Sequence, residues 1–166
     1  IISQPYSGQF TERIFDNESA WNSQSWTWVK FTNDDYSEWC GQFRGFPKQV
    51  AISEIHNLTL VLTSDYLYQL DKETAELIKL KDQQYQNLSV TPNGHFILAD
   101  YYNFEKITDD IDKVVHLKSP IEMDMIEFKK WNETKLEFTC DEFTNWDRHL
   151  TMPYDSETDE ISILNG

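Results

Sequence analysis

From Ser25 onward the chain alternates apolar and polar residues with a period of two, the spacing of a half-buried strand. In residues 26–31, Thr27, Val29 and Phe31 share one face while Trp26 and Trp28 share the other. The same signature predicts strands over 38–43, 49–53, 58–63, 67–71, 76–80, 87–91, 95–99, 104–107, 113–117, 124–130, 135–139, 148–152 and 160–164. Turn formers lie between them: Asn33 and Asp34, Pro92 to Gly94, Asp109 and Asp110, Asn132 and Glu133, Asp155 and Ser156. Residues 1–24 lack this alternation, and Phe10, Ile14, Phe15 and Trp21 suit either a short amphipathic helical turn or an irregular leading arm.

The strands fall into a repeat. Residues 49–80 and 87–117 share one order, in which a short strand and turn lead to a strand ending in Asp and an aromatic, then a strand, a polar turn and a last strand. Residues 124–164 form a looser copy and 26–43 part of a first one. Asp34 (or Asp35), Asp65, Asp100 and Asp141 recur at intervals of about 30 to 40 residues, the size of a four-stranded propeller blade. Residues 64–77, with Tyr68, Leu70, Asp71 and Thr74, resemble the strand-turn-strand of such blades, with Ala75 where the blade carries glycine. The uneven spacing, and the absence of a recurring Trp-Asp or Gly-His pair, favour an open coiled sheet over a small closed propeller. The expected fold is therefore all-β, an antiparallel meander of repeated four-stranded propeller-like units. It forms a single domain over 1–166, with an N-terminal arm at about 1–24 and β repeats at about 25–164. Within each unit the Asp is expected to cap a turn through backbone amides, and the aromatic after it to enter the core.

Composition narrows the partner more than the chemistry. Twenty-nine acids against fourteen bases leave a formal charge of −15, a field that repels nucleic acid and anionic membrane and attracts a basic partner. No apolar run reaches the length of a membrane helix. Cys40 and Cys140 are a hundred positions apart with no metal-ligand spacing, which suits a reduced cytosolic pair, although one long-range disulfide would serve a secreted chain. The sequons at Asn17, Asn57, Asn87 and Asn132 read as incidental in a chain rich in Asn, Ser and Thr. His56, His95, His116 and His149 form no ligand motif; His56 and His95 sit at matching turns, where exposure to water is expected. Paired carboxylates abound, but twenty-nine acids make pairs inevitable. No nucleophile motif or phosphate loop occurs, and neither a cofactor nor a metal is expected.

The aromatics carry the remaining signal. Trp26 and Trp28 are assigned to the core. The doubled acids beside aromatics, Asp34, Asp35, Tyr36, Glu38 and Trp39 in one copy and Asp141, Glu142, Phe143 and Trp146 in another, exceed what a turn requires and are the candidate partner-binding residues. In size, acidity, aromatic content and lack of a catalytic signature, the chain resembles the small bacterial immunity proteins that accompany polymorphic or contact-dependent toxins. That resemblance implies a cytoplasmic, non-enzymatic protein that neutralises a basic toxin domain such as a nuclease. A carbohydrate-binding module or glycosidase-like protein using Trp and paired acids is the alternative, and a β-repeat scaffold is a third reading.

Overall fold

The computed structural model describes residues 1–16 and 23–164, so Trp21 and the Asn17 sequon lie outside the described residues. Among the described residues, fifteen strands form four sheets. The first holds β1 (Thr11–Phe15), β2 (Trp26–Thr32) and β3 (Glu38–Arg44) in the order β1-β3-β2. The second is the meander β4 (Pro47–Ser53), β5 (Leu58–Thr63), β6 (Tyr66–Asp71) and β7 (Leu77–Asp82). The third is β8 (Asn87–Val90), β9 (Phe96–Ala99), β10 (Phe104–Ile107) and β11 (Val114–Leu117). The fourth is β12 (Met123–Asn132), β13 (Lys135–Glu142), β14 (Asn145–Asp155) and β15 (Glu160–Ile161). The three four-stranded sheets are antiparallel throughout, as the repeat predicts. No described residue is helical, so none forms a helix able to cross a membrane.

The leading segment departs from expectation. In place of a helical turn, residues 11–15 are a strand that pairs in parallel with β3, Thr11 opposite Trp39 and Phe15 opposite Phe43. Phe15 stacks on Phe43 at 4.7 Å between ring centroids, and that buried contact overrides the weak local pattern.

The sheets pack in chain order. Phe15, Val29 and Phe43 of the first meet Val61, Tyr68 and Leu70 of the second. Leu60, Leu62 and Leu67 of the second meet Phe96, Leu98 and Ile107 of the third, and Ile97 and Phe104 of the third meet Phe138, Met152 and Tyr154 of the fourth. No cluster among the described residues joins the fourth sheet back to the first, so the array is open. Sheets covered on both faces lose the apolar-polar alternation: every residue of β5 and β9 is buried. Each buried Leu or Phe contributes about 1.5–3 kcal/mol relative to exposure.

Facing selection corrects the tryptophan assignment. Thr27 and Val29 point into the first cluster, which places Trp26 and Trp28 on the opposite face, both half-buried. The Arg44 guanidinium lies 3.6 Å from the Trp26 ring centre. Trp39 instead enters the core, 5 % exposed and stacked on Phe31 at 4.2 Å. The two cysteines are unpaired and buried in different sheets. Burial, with a smaller push from Asp141, raises the Cys140 thiol to about 11, which keeps it protonated and unreactive at neutral pH. Ala75 adopts φ 57°, the left-handed geometry for which blades use glycine, and its buried methyl offsets part of a strain of about 1–2 kcal/mol.

Buried polar side chains pin each seam by bonding to the backbone of the neighbouring sheet. The Tyr68 hydroxyl accepts the Arg44 amide at 2.9 Å; Gln69 donates to the Asp109 carbonyl at 2.7 Å and accepts the Ile111 amide at 3.1 Å. Asn87 donates to the Ile126 carbonyl at 2.8 Å and accepts the Phe128 amide at 3.0 Å. Those bonds occupy the carboxamide of a residue 6 % exposed, which leaves its sequon no accessible acceptor in the folded chain. Asn87→Leu keeps the branched outline of the side chain but orphans two buried backbone groups. It is expected to lower unfolding free energy by about 2–5 kcal/mol, read as a fall in the urea midpoint.

Candidate functional site

Strand direction decides which turns share a rim. Only Gly45 and Phe46 separate β3 from β4, and the Phe46 carbonyl accepts the Ser64 amide at 2.9 Å, so this link lies beside the β5–β6 turn. Alternating direction then puts the β9–β10 and β13–β14 turns on the same rim, together with the β11–β12 link, whose Glu122 carbonyl accepts the Phe143 amide at 2.9 Å. The opposite rim carries the β4–β5, β6–β7 and β8–β9 turns: Ser53 Oγ donates to the Gly94 carbonyl at 2.7 Å, and the Lys72 amide to the Asn57 carbonyl at 3.0 Å. Because β2 runs the same way as β4, the β2–β3 turn belongs to this second rim.

The two acid-aromatic phrases are thereby separated. Asp34, Asp35, Tyr36 and Glu38 stand on the second rim, and Asp141, Glu142, Phe143 and Trp146 on the first. Asp35 caps its turn: its Oδ1 accepts the Ser37 hydroxyl at 2.5 Å and amide at 2.9 Å, bonds that hold its carboxyl below the ordinary value. Glu38 pairs with Lys30 at 2.8 Å, and Tyr36 projects into solvent, 86 % exposed, with φ 62°. Trp39 is core and has no surface to offer, a correction to its place among the candidates. Asp141 meets His149 Nδ1 at 2.5 Å across the strand pair. Glu142 accepts from Asn145 Nδ2 and Arg148 Nη1, both at 2.9 Å, and these bonds depress its carboxyl. Phe143 and Trp146 are exposed.

The turn-cap expectation holds at Asp100, whose Oδ1 accepts the Tyr102 and Asn103 amides at 2.6 Å each. At Asp65 it does not. There Thr63 Oγ1 takes the Tyr66 amide at 3.1 Å, and Asp65 reaches instead to the Ser23 amide at 2.8 Å, while Tyr66 is buried as expected.

The first rim collects groups that the repeat alone does not reveal. After Asp100 come two tyrosines where one aromatic would suffice, and both stay out of the core: Tyr101 and Tyr102 are exposed, and Phe104 takes the buried position. Tyr102 packs edge-on against Phe143 at 6.0 Å and against Tyr101 at 6.3 Å. A bulge in β12 between Asp124 and Glu127 turns Met125 outward, and the Ile126 amide in it donates to the Tyr101 carbonyl at 3.3 Å. Between the third and fourth sheets opens a cavity of about 360 Å³. Buried Phe104 and Met123 and half-buried Leu117 and Ile121 give it an apolar side, and Asn103, Ser119, Glu122, Tyr102 and Phe143 complete its lining. The Glu122 carboxylate has no hydrogen bond or ion pair among the described residues, and the Asp124 carboxylate accepts only the adjacent Met125 amide at 2.8 Å. Of the nearby bases, Arg148 is paired with Glu142, Lys48 is half-buried with its ammonium pushed below the ordinary value by desolvation, and Lys118 in the same link is exposed. The patch presents aromatic area edged by unpaired negative charge.

Against known proteins, the chain matches no protein-family model and no curated protein sequence.

The second rim differs in character. His56 and His95 are half-buried and stacked at 5.6 Å with 19° between ring planes, in place of the expected exposure to water. Gly94 needs its positive φ of 85°, and a Cβ there would meet Ile55 at 2.8 Å, so the two turns interlock. Burial, then the Lys106 ammonium and the His56 ring, push the His95 imidazole below its ordinary value, against a smaller opposing pull from Asp159. A histidine with a lowered folded pKa costs nothing while neutral, so stability is expected to fall as pH drops from about 6.5 through the folded value. Urea midpoints at pH 7 and pH 5 check this, and His95→Gln should flatten the difference. On the first rim, Tyr102→Ala or Phe143→Ala should change unfolding free energy by less than about 1 kcal/mol, whereas Phe104→Ala beneath them should cost about 3–5 kcal/mol. Thermal and urea melts of the three variants check the contrast.

Proposed function

We propose that the protein is a non-enzymatic acidic binding protein that recognises a basic protein partner on the first rim. The observation that carries the reading is the exposed Tyr101, Tyr102 and Phe143 cluster standing beside the unpaired carboxylates of Glu122 and Asp124. Large aromatic area with little conformational freedom is what anchors a protein interface, and charge of one sign around it selects the partner and speeds encounter. A formal charge of −15 extends that field over the whole chain.

The partner class that best fits is a toxin nuclease domain, basic because its own substrate is polyanionic, with this chain as the cytoplasmic immunity protein that blocks it. The resemblance in size, acidity and aromatic content to immunity proteins supports this assignment. Phe143 and Trp146 then contribute contact area. Asp141 and Glu142, held by His149 and Arg148, contribute field more than direct bonds. Asp34, Asp35, Tyr36 and Glu38 would serve a second contact on the other rim, for a partner large enough to wrap the edge.

The test is capture of the toxin encoded beside this gene, followed by affinity measured across a salt series. Binding through acids should weaken steeply between low and physiological salt, and the double variant Glu122→Lys with Asp124→Lys should weaken it by about tenfold or more while leaving the melting temperature unchanged. Affinity that ignores salt, together with retention on a glycan array, would overturn the reading in favour of a sugar-binding module.

A further inference from the structure

We infer that the cavity between the third and fourth sheets is the receptor for a single bulky apolar side chain of the partner, one flanked in the partner's sequence by lysine or arginine. The inference rests on the first rim being the binding surface and adds what fills it.

The polarity gradient of the cavity dictates the guest. A side chain entering from solvent places its tip against the buried Phe104 and Met123 and the half-buried Leu117 and Ile121, apolar groups that offer a charged head no hydrogen bond to offset its desolvation. A lysine or arginine tip is therefore excluded from the floor, and a Phe, Leu or Met tip is accepted. The mouth asks for the opposite. Glu122 is exposed and unpaired there, and the rings of Tyr102 and Phe143 offer faces that attract a cation. A segment with an apolar residue between basic ones satisfies both levels, whereas an acidic or neutral polar segment satisfies neither. Charge complementarity with a chain of −15 sets the sign of the flanking residues. The volume of about 360 Å³ has room for one large side chain, and the rings already at the mouth would flank it and exclude water.

The geometry is held in place before any partner arrives. Asp100 caps the loop that carries Tyr102, the Glu122 carbonyl holds the Phe143 amide, and Ser119 Oγ accepts the Ile121 amide at 3.4 Å in the link that lines the cavity. Binding therefore requires little rearrangement of the receptor.

Two pentapeptide probes test this with the full chain: acetyl-Lys-Lys-Phe-Lys-Lys-amide and the same peptide with Ala at the centre. Binding is followed by methyl and aromatic NMR shifts at low salt. The Phe peptide is expected to bind about tenfold or more tighter and to shift the Leu117, Ile121 and Met123 methyl signals. Ser119→Trp, which fills the mouth from the link, should erase the preference; circular dichroism melts confirm that this variant remains folded, and Phe143→Ala provides a second variant expected to reduce it. Equal binding of both peptides, with shifts at Glu122 and Asp124 but none at the cavity methyls, would overturn the receptor while leaving the basic-partner reading standing. Failure of both peptides to bind at low salt would overturn the two together.

Discussion

The carboxamide of Asn87 is the contact on which the first rim depends. Strand β12 carries a bulge at Met125 and Ile126, and a bulge frees backbone groups that a regular ladder would consume. Asn87, reaching from the first strand of the third sheet, takes up the Ile126 carbonyl and the Phe128 amide, and the Tyr101 carbonyl takes up the Ile126 amide. One buried amide thus makes the bulge tolerable. The bulge turns Met125 outward and ties down the loop that presents Tyr101 and Tyr102, and the exposed aromatic surface rests on that chain of bonds.

The same device recurs at the other seams through Tyr68 and Gln69. Apolar packing between sheets is strong but not directional, and two pleated faces can slide over one another at little cost. A side-chain amide bonded to both a carbonyl and an amide of the neighbouring sheet has one position that satisfies it, so it sets the register between sheets as the ladders set it within them. The cavity lies where the β11–β12 link runs between the third and fourth sheets beside Phe104 and Met123.

The two rims follow from strand direction, and they divide the acidic phrases by a rule invisible in their wording. Phe31 to Tyr36 and Phe138 to Phe143 read alike, yet β2 runs with the first strand of each meander and β13 with the second, so their turns point to opposite ends of the molecule. The apparent equivalence of the four aspartates dissolves even among the three that share the first rim, because each meets different local partners. Asp100 caps its own turn, Asp65 leaves that work to Thr63, and Asp141 spends its charge on His149.

Period-two alternation, turn residues at regular intervals and the 30-to-40-residue echo were enough to determine an all-β chain of four-stranded units, because strand geometry and turn chemistry are local properties of a few residues. The 58–63 and 104–107 strands coincide with those observed, and most others differ by a residue or two at their ends. The excess of acid, a sum over residues, was equally legible. What only the tertiary structure decided depends on which faces meet. Residues 11–15 became a strand because β3 offered an edge and Phe43 a partner for Phe15. Trp39 entered the core and Trp26 and Trp28 did not, since alternation defines two faces without saying which is covered. The pairing of Tyr102 with Phe143, and the cavity beneath them, join residues of different sheets, and their closeness is set by the long-range bonds of Asn87 and Glu122 rather than by any spacing along the chain.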